Sequence, residues 1–296
     1  MDWQLRLIDT YTTLCDFFNQ GLSEVVRRHS NNNLTYQLTD PEVITIFFNG
    51  IAHGHFTLKA IFKYTKNHLS DWFPDLAGYD AFCHRLRVVS DIFPILIEVM
   101  IENSHCKRLF NNPAKLIDSM PIVLAKASRS GKARVAKDEI ADKGYCGSKK
   151  EFYYGVKLHV VGDEDDGLPE PLMVGLSAAS IHDLKAFEHI VPEFFNCSIY
   201  GDKAYCNNEL QEQSLVNQSL SIRTPIKLSR SKKQLTFFEK LYSKSVSSIR
   251  QPIESFFNWL QEKTRIHEAS KVRLFEGLKV HVFGRFAAAM MILRQG

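Results

Sequence analysis

The 296-residue chain contains 45% hydrophobic and 24% charged residues, a composition typical of globular proteins that excludes the disordered and fibrous classes. Its net charge of +4 permits a nucleic-acid partner without requiring one. No apolar run reaches about 18 residues, and the opening MDWQLRLIDTYTTL lacks a basic region followed by an apolar one. We therefore expect no membrane span, no signal peptide, and a cytoplasmic or nucleoid-associated protein.

Residues 1–110 are predicted to form an all-helical N-terminal domain. The segment LTDPEVITIFFNGI predicts a helix that begins at Asp40 as the N-cap, followed by a proline and an apolar run. Aromatic residues such as Phe47 and Trp72 are expected in the core of a small bundle. Several short helices in succession could include a helix-turn-helix, so we expect this domain to recognise DNA ends.

From about residue 114 the spacing of apolar residues changes from the period of helices to that of strands. Five strands are predicted in the segments KLIDSMPIVLAKA, FYYGVKLHVVGDE, LPEPLMVGLSAA, NCSIYGD and LSIRTPIKL. HDLKAFEHIVPEFF and NNELQEQSLVNQ predict helices on either side of the fourth strand, and the tail from Phe237 onward is helical again. This order predicts an α/β domain of residues 111–296 built on a mixed sheet.

Three carboxylates occupy positions at which a charge needs a partner. Asp118 lies inside the first strand among apolar residues, and Asp202 ends the fourth strand. If these strands are neighbours, the two carboxylates meet at one edge of the sheet, where a divalent cation would relieve their repulsion. Glu254 stands on the C-terminal helix, one turn after Arg250. Two of these carboxylates also have an ordinary explanation: Asp202 as a turn aspartate, and Glu254 as the partner of Arg250 in a helical ion pair.

Taken in order, these residues carry a resemblance. LIDSMPI, IYGDKAY and IRQPIESFFNWL resemble the three catalytic blocks of DDE-type insertion-sequence transposases, most closely those of the insertion sequence 982 group. FYYGVKLH and SAASIHDLKAF fit the intervening blocks, so the resemblance covers about residues 110–294. It implies an RNase H-like fold, in which a mixed sheet is flanked by helices.

The resemblance also implies a reaction and its participants. Asp118, Asp202 and Glu254 would hold two Mg²⁺ ions, with Mn²⁺ as a substitute, for the in-line attack of water and then of a DNA 3′-hydroxyl on a phosphodiester. The partner would be double-stranded DNA, both as insertion-sequence terminal repeats and as target. Two ends require two active sites, so a homodimer on DNA is expected.

Basic residues cluster around these carboxylates. Residues 223–250 contain eight Lys and Arg against one acidic residue, and residues 126–157 contain nine against four, a pattern that favours contacts with a phosphate backbone. The segment RSGKARVAKDEIADKGYCGSKK is predicted to be a mobile basic loop. Seven residues are predicted to contact DNA: Arg250, Lys203, Tyr205, Lys157, Arg223, Lys227 and Lys263.

The chain departs from the family pattern at one place. Related transposases often carry Lys or Arg seven residues after the glutamate, where this chain has Gln261, and Lys263 follows two residues later. Core packing competes with DNA contact as the role of Tyr205, and His159 is read more simply as a strand histidine than as a site residue.

Three alternative functions stay open at this stage. A catalytically silent, transposase-derived DNA-binding protein would keep the fold, and an RNase H-like metal-dependent nuclease would cut DNA without strand transfer. The pair His182–Asp183 resembles the metal-binding pair of HD phosphohydrolases, but it stands at a helix start after a strand, where Asp183 is better read as a residue of the first helical turn.

Overall fold

The chain divides into two compact units, one comprising Met1–His105 with Leu260–Gly296 and the other Cys106–Trp259. The computed structural model describes residues 2–25, 37–105, 114–147, 150–164, 167–228 and 234–295. The predicted domain boundary near residue 110 lies outside these ranges. No helix within them has both the length and the apolar character needed to cross a membrane.

The regular elements alternate between helices and strands in the middle of the chain. In chain order they are α1 (Trp3–Phe17), α2 (Ser23–Val25), α3 (Asp40–Ala52), α4 (Leu58–His68), α5 (Tyr79–Val88), α6 (Ile92–His105), β1 (Ala114–Lys126), α7 (Ala127–Ser130), β2 (Asp142–Cys146), β3 (Glu151–Asp163), β4 (Glu170–Ala178), α8 (Asp183–Ile190), β5 (Ser198–Tyr200), α9 (Asn208–Gln218), β6 (Ser221–Arg223), α10 (Phe237–Thr264), α11 (Phe275–Lys279) and α12 (Arg285–Gln295).

The N-terminal region is helical, as predicted, but helix α3 starts differently. Its N-cap is Thr39, whose hydroxyl accepts from the backbone N–H of Glu42 at 3.4 Å, while the Glu42 carboxylate accepts from the N–H of Thr39 at 2.7 Å. The prediction of Asp40 as the cap is wrong because this reciprocal capping box fits the chain one residue earlier. Asp40 is the first helical residue, and its carboxylate forms an ion pair with Arg85.

Aromatic rings fill the core of this helical unit. Phe47 is 1% exposed and packs with Phe93 at a ring-centroid distance of 6.0 Å. Trp72, in contrast, is 40% exposed and packs edge-on against Trp3, so its prediction as a core residue is wrong. A tryptophan satisfies the same hydrophobic pattern whether it is enclosed or lies across the surface.

The second unit is built on a six-stranded mixed sheet with the order β2-β3-β1-β5-β6, in which β4 also pairs with β3. Strand β3 is antiparallel to β1, β2 and β4, whereas β5 runs parallel to β1 and to β6. The predicted fold class, an RNase H-like mixed sheet with flanking helices, is confirmed. Strand β2 is additional to the five predicted strands and lies inside the segment that was predicted to be a loop. It pairs with β3 as an antiparallel hairpin.

Helix α8 covers the sheet beside the parallel strands. Phe187 of α8 is 1% exposed and packs in one cluster with Ile117 of β1, Ile199 of β5 and Tyr205. Burial of such side chains contributes about 1.5–3 kcal/mol each, which holds the ends of β1 and β5 in place.

Candidate active site

The parallel pairing of β1 with β5 brings the two aspartates together. Leu116 of β1 lies opposite Tyr200 of β5, and two residues beyond each of them stand Asp118 and Asp202. Asp118 belongs to β1, whereas Asp202 lies just after the end of β5, and its charge is close enough to raise the pKa of Asp118. The condition set in the sequence analysis, that the first and fourth predicted strands are neighbours, is therefore met.

Asp202 is held by the turn that follows β5. Its carboxylate accepts a hydrogen bond from the backbone N–H of Ala204 at 2.7 Å and thereby caps a single 3₁₀ turn. Gly201 precedes it, and a Cβ at that position would lie 2.9 Å from the ring of Tyr205 and 3.1 Å from the side chain of Ile117. Glycine thus allows the strand end to pack directly on the Tyr205 ring.

Glu254 of α10 is connected to Asp118 by an arginine that contacts both carboxylates. The guanidinium of Arg250 donates to Oδ2 of Asp118 at 2.8 Å and also forms an ion pair with Glu254 one turn later. Ile253 and Phe256 are buried, as the predicted apolar face of this helix requires. Arg250 of the polar stripe therefore contacts the sheet edge, and this one cation joins two of the three predicted carboxylates.

The environment of Asp118 opposes its negative charge. Burial raises the pKa of this carboxyl to about 6, although the charge of Arg250 and a backbone hydrogen bond from Ser119 act in the opposite direction. The nearby charges of Asp202 and Glu254 raise it further. Three carboxylates thus share one site, and only part of their repulsion is relieved by the protein itself.

A second polar group lies directly beside Asp118. The hydroxyl of Ser119 donates to Oδ1 of Asp183 at 3.0 Å, and the ammonium group of Lys157 donates to the same oxygen at 3.0 Å. Lys157 also donates to the carbonyl of Ile181 at 2.8 Å. Asp183 is the first residue of α8, as expected, so this group fastens the start of α8 to the strand that carries Asp118.

His159 behaves as a buried strand histidine. Its Nε2 lies 2.7 Å from the hydroxyl of Ser177. Burial lowers the pKa of its ring to about 4, although the negative charge of Asp183 opposes the shift. The ring is therefore neutral at physiological pH.

A cavity of about 530 Å³ opens next to Asp202. It is lined by residues from the turn after β5, the segment after β6 and one side of α10: Asp202, Lys203, Pro225, Ser243, Lys244, Ser247 and Arg250. Three of these lining residues, Ser243, Lys244 and Ser247, were not predicted from the sequence. Ser243 and Ser247 stand four residues apart, and Arg250 and Glu254 continue the series, so extending the polar stripe backward along α10 would have found them.

The residues predicted to contact DNA differ in how accessible they are. Lys203, Arg223 and Lys227 are exposed in the second unit. Tyr205 is 1% exposed and packs edge-on against Phe187, while Lys157 is held in the ion pair with Asp183. In this conformation Tyr205 presents no surface to a ligand.

The C-terminal part of α10 departs from the family pattern for a structural reason. The side-chain oxygen of Gln261 accepts from the backbone N–H of His267 at 2.9 Å, so this residue secures the end of the helix. Lys263 is exposed, and its ammonium group lies 3.2 Å from Glu262. Arg230, Lys232 and Lys233, which contribute to the predicted basic character of residues 223–250, lie outside the described residues.

The donor chemistry of the three carboxylates fits a hard divalent cation such as Mg²⁺, which prefers oxygen ligands. Within the described residues, no group of three His, Cys, Asp or Glu side chains stands close enough to hold a metal ion in this conformation. Arg250 contacts both Asp118 and Glu254, so these carboxylates face a protein cation instead. Arg250 therefore contacts one oxygen of Asp118 and one of Glu254, for which a metal ion would compete.

Comparison with known proteins gives one match. The family described as "Transposase DDE domain" matches residues 112–291, which is more than half of the chain and includes all three carboxylates. Neither the curated proteins nor the solved structures provide a significant match.

Proposed function

This chain belongs to the family of transposases with a DDE domain, and from that membership we propose that it cuts the ends of an insertion sequence and joins the 3′-hydroxyl strand to target DNA. The observation that carries the proposal is the placement of Asp118 on β1 beside Asp202, which follows the adjacent parallel strand β5, with Glu254 linked to Asp118 through Arg250. These residues come from three distant parts of the chain.

In the proposed mechanism, Asp118, Asp202 and Glu254 are the metal ligands. Two Mg²⁺ ions, with Mn²⁺ as a substitute, would supply charge stabilisation for an in-line displacement at phosphorus. Burial of Asp118 and the crowding of three carboxylates make the site unfavourable without additional positive charge, which supports this assignment.

Arg250 has two tasks in this proposal. Without a metal ion it neutralises Asp118 and Glu254, and its Nε is buried without a hydrogen-bond partner among the described residues. The guanidinium would also suit a DNA phosphate, because its planar set of donors matches the phosphate oxygens. Lys203, exposed beside Asp202, would contact the same strand.

The proposed partner is double-stranded DNA, both as terminal repeats and as target, bound by a homodimer. The basic residues of the sheet unit support a polyanionic partner, since Arg223 at the end of β6 and Lys227 after it are exposed. Assignment to the insertion sequence 982 group remains part of the proposal.

Cleavage of labelled duplexes that carry the element's own ends tests this function, with wild type compared to Asp202→Asn in Mg²⁺. Asparagine keeps an oxygen that can accept from the N–H of Ala204 but removes the charge, so folding and DNA binding should persist while cleavage is lost. Asp142→Asn is the matched control, because this exposed aspartate also accepts from a nearby backbone N–H, at 2.7 Å.

The products separate the proposed function from its alternatives. Nicking at the end followed by joining to target DNA, lost only in Asp202→Asn, supports a transposase. Cutting without joining would indicate a nuclease. DNA binding without cutting in either Mg²⁺ or Mn²⁺ would indicate a silent DNA-binding protein and would contradict the proposal.

A further inference from the structure

The β2–β3 hairpin presents two aromatic rings to solvent. Tyr145 and Phe152 lie directly opposite each other in the hairpin register and are 51% and 53% exposed. Their ring centroids are 5.0 Å apart, with an angle of 58° between the planes. Single exposed aromatic residues are ordinary, but two adjoining rings at the edge of a sheet form a continuous apolar surface.

A cation stands on the same surface. Lys143 precedes Tyr145 by two residues on β2, so both side chains lie on one face of the hairpin. Its ammonium nitrogen is 5.2 Å from the centroid of the Phe152 ring. We refer to Lys143, Tyr145 and Phe152 as the hairpin platform.

A strongly basic segment lies next to this platform. Tyr154, two residues beyond Phe152 and on the same face of β3, donates from its hydroxyl to the carbonyl of Val135 at 3.0 Å. That contact holds Val135 beside β3, and the segment 126–137, to which Val135 belongs, contains no acidic residue. Its five basic residues are all exposed: Lys126, Arg129, Lys132, Arg134 and Lys137.

We propose that the hairpin platform stacks on an unpaired base of the substrate DNA while the segment 126–137 binds the phosphates of the same strand. This proposal rests on DNA being the substrate, as set out above. The rings supply a flat apolar surface, to which a base can stack irrespective of its identity, and the cations supply affinity for the backbone. Bases inside a duplex have both faces covered by their neighbours, so only an unpaired base offers a face to this surface.

Cross-strand aromatic pairs can also stabilise a hairpin without binding any ligand. The two explanations differ in what they predict, because a stabilising pair affects unfolding and is indifferent to the structure of the DNA. Stacking instead predicts a preference for DNA with an unpaired base.

The test measures binding of two duplexes of equal length, one blunt and one with a three-nucleotide overhang that carries 2-aminopurine. With Tyr145→Ala/Phe152→Ala we expect affinity for the overhang duplex to fall by about tenfold to a hundredfold and the quenching of 2-aminopurine seen with wild type to disappear. Affinity for the blunt duplex should change by less than about twofold. Phe195→Ala is the matched control, since Phe195 is a single ring, 59% exposed, between α8 and β5.

A ring-retaining variant keeps the test decisive if the double alanine variant folds poorly. Tyr145→Phe/Phe152→Tyr preserves both aromatic faces and should bind the overhang duplex as wild type does, with the same quenching.

If wild type binds both duplexes equally and does not quench 2-aminopurine, the platform proposal is wrong while DNA binding stands. If wild type binds neither duplex, the proposed function fails first. A double alanine variant that changes only the oligomeric state would show instead that the platform joins two copies of the chain.

Discussion

Replacement of Arg250 by glutamine removes the guanidinium that joins Asp118 to Glu254. The pair with Asp118 is largely buried, with side chains 13% and 20% exposed, and loss of one partner from such a pair costs about 3–5 kcal/mol. The pair with Glu254 contributes little, because that carboxylate is 52% exposed and its interaction is screened by solvent. We therefore expect Arg250→Gln to lower the free energy of unfolding by about 3 kcal/mol in metal-free buffer.

The same substitution should strengthen the effect of divalent ions. In wild type, Mg²⁺ has to compete with Arg250 for Asp118 and Glu254, whereas in Arg250→Gln both carboxylates are released. Since a ligand stabilises a protein in proportion to the logarithm of its concentration relative to its Kd, Mg²⁺ should raise the Tm of the variant more than that of wild type.

Scanning calorimetry with and without Mg²⁺ measures both effects. A loss of about 3 kcal/mol corresponds to a fall in Tm of roughly 6–12 °C for a unit of this size. Lys263→Gln is the control, because it breaks an exposed pair with Glu262 and should leave the Tm nearly unchanged. Equal Mg²⁺ increments in wild type and Arg250→Gln would refute the reasoning, as would an unchanged Tm in metal-free buffer.

Three further predictions follow from buried charges. Asp118→Asn should remove the loss of stability that wild type shows as pH rises towards the folded-state pKa of about 6, and it should abolish stabilisation by Mg²⁺; a free energy of unfolding that depends on pH in the variant as it does in wild type would contradict this. His159 has a folded-state pKa of about 4, so the free energy of unfolding of wild type should fall by about 3 kcal/mol as pH falls from 6.5 to 4. Urea denaturation at a series of pH values should show a weaker pH dependence of this free energy for His159→Asn, by up to one proton. The same pH dependence in both proteins would exclude a contribution from His159. Lys115 and Asp163 form an ion pair with side chains 6% and 1% exposed, so Lys115→Ala should destabilise by about 3–5 kcal/mol. Most of that loss should be recovered in Lys115→Met/Asp163→Leu, measured by chemical denaturation, and no recovery would show that the charges themselves are required.

Much of the fold could be predicted from local patterns. The change of period near residue 114 and the helical pattern around Glu254 are each contained in a short window of residues. Strand β2 was missed because its five residues, Asp142–Cys146, have no apolar alternation of their own. Its pairing with β3 depends on the partner strand, which a local pattern cannot show.

The members of the candidate site were proposed from the sequence, whereas their contacts could not be. Asp118, Asp202 and Glu254 were identified from their positions at a strand interior, a strand end and a helix face, together with a family resemblance. The hydrogen bond from Arg250 to Asp118 spans 132 residues of chain, and the one from Ser119 to Asp183 spans 64. Contacts at such separations leave no periodic signal in the sequence.

The sequence by itself therefore determined the kinds of elements, the mixed sheet and the three carboxylates, since strand and helix preferences and the cost of an unpaired charge act locally. Only the tertiary structure decided that Arg250 bridges Asp118 and Glu254, that Tyr205 is a core residue, and that Leu260–Gly296 group with the N-terminal helices. The physical reason is that a charged or aromatic side chain is compatible with several environments, and the choice among them depends on which distant segments the packing of the core brings beside it.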